Sequence, residues 1–371
     1  MNQRSRVQTW LLQGIVPLLV IVFVSLVLRQ SFANQFGARQ PAAIANFKVS
    51  GTRILDPHGK EFIIKGVNIN GPNWVWPDDM TQPVHLNNIA NCWKFNLVRV
   101  NSQLLPTGTY WQHNNDIDKL VQAFTSRKIV VLFDAHDRTG SYYRTQDGSL
   151  QALKGWYRNL ATKYKNNPYV WFDVMNEPGD LPPVEPDWLT VHREVIKVIR
   201  DQVKSNNIIM VEGTAWGQDA GNWNAQPVPL QNSAILQLAG AVTKFDGKSY
   251  PNVIFNIHVY DQYNIGGNQR QLDHRLADYF DRVRAKNLVI SVGEFGVRNA
   301  NQNVWTVTQA MYRTAVPRNI GRIVWAWWGG DDNDLTTSGN GGGWHINSCT
   351  TPTNLSWLGR QVWQDTHRSS S

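Results

Sequence analysis

The chain has 371 residues, 42% of them hydrophobic, which is enough for one large core of the size that α/β barrels routinely use. A net charge of +8 raises the question of nucleic acid, but residues 1–40 hold Arg4, Arg6, Arg29 and Arg39 and no acid, so half of the surplus sits in one terminal segment. The rest is scattered with no Lys/Arg block, which disfavours a phosphate-tracking face and suits a neutral partner.

In chain order, a basic flank leads into the uncharged run from Val7 to Leu28, interrupted only by Gly14 and Pro17. That length suits a signal peptide or a membrane anchor, and Ser31-Phe32-Ala33 supplies small residues for cleavage. Residues 1–33 are therefore expected to direct export. The protein would be secreted or periplasmic, or held at the membrane by residues 7–28, with no other membrane contact. Residues 34–46 read as a spacer, 47–367 as the folded domain and 368–371 as a polar tail. From Phe47 to Ile64 the pattern alternates around Asp56-Pro57-His58-Gly59, the composition of a turn, which predicts a short β-hairpin ahead of the main fold.

Eight short apolar runs follow: Ile63–Asn70, Leu97–Val100, Ile129–Phe133, Val170–Val174, Ile208–Val211, Val253–Val259, Leu288–Val292 and Ile323–Trp327. Runs this short and this continuous are what strands buried on both faces look like. Between them lie segments of helical period, such as Ile117, Leu120, Val121 and Phe124, or Leu272, Leu276, Phe280 and Val283. Eight strand–helix units predict an α/β fold of the (β/α)8 TIM-barrel class, with an open doubly wound sheet as the runner-up. The stretch Gln218–Asn252 lacks a helical stripe and reads as an elaborated loop. Two cysteines occur, Cys92 just before one strand and Cys349 beyond the end of another. That placement is toward opposite rims, so a bridge is not the expectation. A monomer is.

In a barrel of this class the chemistry gathers where strands end. The polar residues there are Asn70, Arg99, Asn101, Asp134, His136, Asn176, Glu177, Glu212, His258, Tyr260 and Glu294, followed by Trp327 and Trp328. Glu177 and Glu294 close the fourth and seventh runs in equivalent positions, and two facing carboxylates are what glycosidic cleavage requires. An arbitrary strand-end Glu is usually just solvated, but Arg99, His258 and Tyr260 at the same mouth could hold the two carboxyls in different protonation states. Seventeen tryptophans, among them Trp74, Trp76, Trp111, Trp216, Trp223, Trp327, Trp328 and Trp344, add flat apolar rings suited to the C–H faces of sugars. Most single tryptophans are core residues, so the group argues more strongly than any member. Asp134-Ala-His136 could be a metal pair, but the nine histidines are dispersed without a ligand spacing, so neither a metal nor any other cofactor is expected.

In this order, the motifs make the chain similar to glycoside hydrolase family 5, the cellulase and β-mannanase family of retaining barrels, from about Phe47 to Trp363. They are Asn96-Leu-Val-Arg-Val100, His136, Asn176-Glu177, His258-Val-Tyr260, Gly293-Glu-Phe-Gly296 and a last-strand tryptophan, best matched by Trp327 with Trp328 as the alternative. The resemblance implies Glu177 as general acid and then base, and Glu294 as nucleophile. It implies Asn176 at the sugar 2-hydroxyl, Arg99 and Tyr260 orienting Glu294, and His136 and His258 around the cleaved bond. Trp327, Trp74 and Trp216 would meet sugar rings. The implied substrate is β-1,4-linked polysaccharide. His136-Asp-Arg-Thr-Gly140 and Ala215-Trp-Gly-Gln218 look like bacterial β-mannanases, while Asn176-Glu-Pro178 is shared with many cellulases. A noncatalytic glycan-binding barrel and a transglycosylase are the competing readings.

Overall fold

All eight apolar runs pair in parallel as one closed barrel in the computed structural model, which describes residues 45–71, 80–104, 114–179, 185–219, 233–260, 268–297, 304–328, 333–337 and 343–368. The strands before the barrel are β1 (Lys48–Ser50) and β2 (Arg53–Leu55). The barrel strands are β3 (Lys65–Asn70), β4 (Leu97–Ser102), β5 (Val130–Ala135), β6 (Val170–Asp173), β7 (Ile209–Glu212), β10 (Val253–Val259), β11 (Ile290–Phe295) and β12 (Gly321–Val324). The β12–β3 pairing, with Ile323 opposite Gly66, closes the ring.

The helices pack outside it: α1 (Pro83–Asn87), continuing as one wide turn at Asn88–Cys92, then α2 (Asn114–Thr125), α3 (Ser149–Tyr164), α4 (Glu185–Lys197), α5 (Ala234–Thr243), α6 (Gln269–Ala285), α7 (Val304–Ala315) and α8 (Trp357–His367). The apolar stripes bury as their period requires, with Leu120, Val121 and Phe124 of α2 and Leu272, Leu276, Phe280 and Val283 of α6 all in the core. Asn268 starts α6 with a reciprocal capping box to Gln271. Among the described residues no helix is long and apolar enough to cross a membrane.

β1 and β2 pair antiparallel ahead of the barrel, but they turn at Gly51 (φ 61°) rather than at Asp56–Gly59, which forms a second turn behind them. Phe47 is fully buried edge-on to Phe62, Tyr169 and Trp171, and with Ile64, Leu97 and Ile323 it fills the end of the barrel opposite the strand termini that carry the chemistry.

Two further expectations are corrected. Gln218–Asn252 is not only a loop: within it α5 forms, followed by the short strands β8 (Lys244–Phe245) and β9 (Lys248–Ser249). Its residues Ala234, Ile235, Leu236, Leu238, Ala239 and Val242 are all buried, so the helix is apolar nearly all round and shows no stripe. Cys92 and Cys349 form a disulfide, with Cα atoms 4.6 Å apart. The chain beyond β12 folds back over α1, where Asn88 Nδ2 donates to the Trp344 carbonyl and Trp93 Nε1 to that of Gly343, and this return removes the separation that strand order implied.

Candidate active site

The site is built on Arg99, whose guanidinium lies wholly inside the barrel near the ends of the strands. Its Nε donates to Asp173 at 2.8 Å, its Nη1 to Glu294 Oε1 at 2.8 Å and Asn68 at 3.0 Å, and its Nη2 to Glu212 Oε1 at 2.6 Å and Asn176 at 2.9 Å. Asp134 Oδ1 is a further ion-pair partner at 3.1 Å. Burial alone would lower its pKa, but Asp134, Asp173, Glu212 and Glu294 raise it well above the ordinary value. Four carboxylates around one guanidinium leave negative charge in excess. Burial and the Glu212 charge push the Asp173 carboxyl well up, against the pull of Arg99.

Glu294 reaches its place through an irregularity in pairing: Ile257 faces Val292, yet His258 faces Glu294, so Gly293 is passed over. Only glycine fits there, because a Cβ would come within 2.0 Å of the Asn256 amide. Tyr260 donates to Glu294 Oε2 at 3.0 Å. Burial raises the Glu294 carboxyl, against the pull of His258 and Arg99, and the Glu177 charge pushes in the same direction as burial.

Glu177 follows β6 with a left-handed φ of 43°, uncommon for a residue other than glycine. Its N–H donates to Glu212 Oε2 at 2.7 Å and its carbonyl accepts from the Gly140 N–H at 2.8 Å. Its Oε1 lies 2.9 Å from His258 Nδ1. Oxygens of Glu177 and Glu294 and a His258 nitrogen lie within 4.8 Å of one another. Burial would lower the His258 pKa, but Glu212, Glu294 and Glu177 raise it well above the ordinary value.

Asn176 accepts from Arg99 and donates to Thr139 Oγ1 at 2.9 Å. His136 Nδ1 lies 2.6 Å from Asp134, and its ring stacks on Trp325 with centroids 5.7 Å apart. Asp134, Asp173 and Glu212 form another close acidic group, and Arg99 bonds or ion-pairs with all three.

Trp327 does not join the site. It is fully buried, its indole N–H donates to His85 Nδ1 at 3.1 Å, and Gly343 lies against its ring. β12 ends at Val324, three residues before the end expected from sequence, so the aromatic just past the strand is Trp325, which reaches His136. Trp328, the alternative, packs against His85 and Trp344. Trp216 is 48% exposed, its N–H donates to the Gly179 carbonyl, and its ring covers Gly140 beside the Glu177 turn. Trp74 lies outside the described residues, as do Trp76, Trp111 and Trp223.

The family model described as Cellulase (glycosyl hydrolase family 5) matches residues 55–331. The chain belongs to glycoside hydrolase family 5. Among its relatives, a mannan endo-1,4-beta-mannosidase of Cellvibrio japonicus is 26% identical over 307 residues, covering 81% of this chain and 64% of that enzyme, so the chain spans just under two thirds of it. A mannan endo-1,4-beta-mannosidase of Streptomyces lividans is 26% identical over 328 residues, covering 87% of this chain and 74% of the relative. The barrel superposes on the catalytic domain of a mannanase from Streptomyces sp. SirexAA-E with a TM-score of 0.66 at 22% identity, over 88% of this chain and 92% of that one. An endoglucanase catalytic domain from Thermobifida fusca gives 0.63 at 17% identity, over 88% and 98%. These two likenesses concern the fold. Within this family 5 chain, sequence reading singled out Glu177, Glu294, Arg99, Asn176, His258 and Tyr260, and the structure brings them together. It passed over Asn68, Asp173 and Trp325. Trp325 lies inside the unbroken apolar run Ile323–Trp327, so nothing in the sequence set it apart.

Proposed function

We propose that this family 5 barrel is a retaining endo-β-1,4-glycanase, with β-mannan, the substrate named for the Cellvibrio and Streptomyces relatives, or β-glucan, named for the endoglucanase relatives, as its substrate. The observation that carries the proposal is the approach of Glu177 and Glu294 oxygens to within 4.8 Å. Inverting enzymes separate their carboxyls by about 6.5–9.5 Å to admit a water, whereas retaining enzymes hold them at about 5–5.5 Å. In this reading Glu294, held by Arg99 and Tyr260, attacks the anomeric carbon as Glu177 gives its proton to the leaving oxygen. A water then gives a proton to Glu177 and breaks the Glu294 ester. In the same reading Asn176 bonds the sugar 2-hydroxyl, and Trp325 and Trp216 stack on the glycan rings.

The deciding experiment is reducing-sugar release from galactomannan, glucomannan, lichenan and carboxymethyl cellulose, with Glu294→Gln in parallel. Release from galactomannan but not from cellulose or lichenan supports the mannanase, and the reverse pattern supports a glucanase. Binding without release on any substrate overturns the hydrolase in favour of a glycan-binding barrel. Export through residues 1–33 belongs to the same proposal. The Cys92–Cys349 disulfide supports it, since disulfides persist in oxidising compartments. Recovery of the protein in the cytosolic fraction would count against export.

A further inference from the structure

We propose that Glu212, a carboxylate with no access to the glycan, is a positioning residue that fixes the main chain of Glu177 and keeps His258 doubly protonated between the two reacting carboxylates. The inference rests on the function proposed above. Glu212 ends β7 and its side chain is fully buried. Four donors converge on it: Arg99 Nη2 at 2.6 Å, His258 Nε2 at 3.1 Å and Asn256 Nδ2 at 3.3 Å on Oε1, and the Glu177 N–H at 2.7 Å on Oε2. An ion-pair partner for Arg99 would need only the first of these.

The main-chain bond matters because Glu177 sits at φ 43°, which a residue with a Cβ keeps only when its surroundings hold it there. Glu212 holds its N–H from below and the Gly140 N–H holds its carbonyl from the neighbouring loop. No strand ladder does this work, since β6 ends at Asp173.

The imidazole bond matters because both ring nitrogens of His258 face acceptors. Nε2 meets Glu212, while Nδ1 is 2.9 Å from Glu177 Oε1 and 3.5 Å from Glu294 Oε2. The charged or titratable groups around the ring are thus Glu177, Glu212 and Glu294, with Tyr260 edge-on to it and Arg99 bonded to two of the three acids. A neutral imidazole has one N–H and could serve only one side. In the first chemical step, Glu294 loses its negative charge to ester formation while Glu177 gains one by releasing its proton. The total charge facing Nδ1 is unchanged, but its location moves across the cleft. A ring kept cationic from behind can follow it by shifting one hydrogen bond. Glu212 is the carboxylate of the three whose charge does not change during the reaction.

The test is 15N NMR of the His258 ring between pH 5 and 8, on the wild type and Glu212→Gln, with kcat and KM on the soluble glycan cleaved by the wild type. In the wild type both ring nitrogens are expected to carry protons throughout, and a bare ring nitrogen at neutral pH overturns the proposal without any variant. Glu212→Gln should bring a His258 titration into this window and lower kcat about 10²-fold, the scale of an ångström-level misplacement, with KM within about threefold. An unchanged kcat, or a loss matched by the fraction unfolded while His258 stays doubly protonated, reduces Glu212 to a structural ion pair and overturns the proposal. If the wild type cleaves no β-1,4-glycan, the proposed function fails, and the wild-type ring measurement still decides the arrangement around His258.

Discussion

Replacing Arg99 with Met removes the guanidinium shared by Asp134, Asp173, Glu212 and Glu294, all of them buried. Deleting one partner of a buried ion pair costs about 3–5 kcal/mol, and here the loss leaves four acids without their common cation, so the upper end of that range is expected at pH 7. The cost depends on pH in a defined direction. Without Arg99 the carboxyls move up, so the folded variant takes on protons that the unfolded chain, with ordinary carboxyls near pH 4, does not hold. The variant therefore recovers relative to the wild type as pH falls from 7 to 5, by about 1.4 kcal/mol per pH unit for each extra proton bound. Urea titrations of both proteins at pH 7, 6 and 5, with the disulfide intact, give the difference directly. A gap that stays constant or widens toward pH 5 would show that the four carboxylates are not electrostatically tied to Arg99.

Four further outcomes are expected. Burial lowers the pKa of His192 in α4 to about 4, below the unfolded value. Its neutral ring thus contributes fully above about pH 6.5, and about 3 kcal/mol is lost as pH falls from there toward 4. His192→Leu should flatten that part of the stability profile, and an unchanged slope would contradict it. Trp216→Ala should lower kcat/KM on long glycans about tenfold with the melting temperature unmoved. Trp327→Ala should instead cost about 3–5 kcal/mol of stability, and the opposite pattern would restore Trp327 as the sugar-facing ring. Replacing Cys92 and Cys349 together by Ser should cost about 2–5 kcal/mol by denaturant titration, and no change would mean that the bridge constrains nothing.

The barrel was legible because strands buried on both faces leave unbroken apolar runs, and because its helices carry a stripe. α5 was missed for the converse reason: Ile235, Leu238 and Val242 are buried together with Ala234, Leu236 and Ala239, so no polar face marks the period. The carboxylate pair could be read from equivalent places at two strand ends. Trp325 could not, because its selection turns on β12 ending at Val324, and strand ends are what an apolar run defines least well. Glu212 was visible only as one more strand-end acid. Its partners lie 35, 44, 46 and 113 residues away along the chain, and only closure of the barrel brings them to one carboxylate.

The cystine spans 257 residues and joins the turn before β4 to the segment that follows the last barrel strand. Every βα connection from the second barrel strand to the seventh therefore lies within a covalent ring. A protease that cuts any one of them leaves a single linked molecule, with no fragment free to diffuse away. A barrel held as a ring can sustain one such cut and still keep Arg99, Glu177 and Glu294 on one covalently joined scaffold.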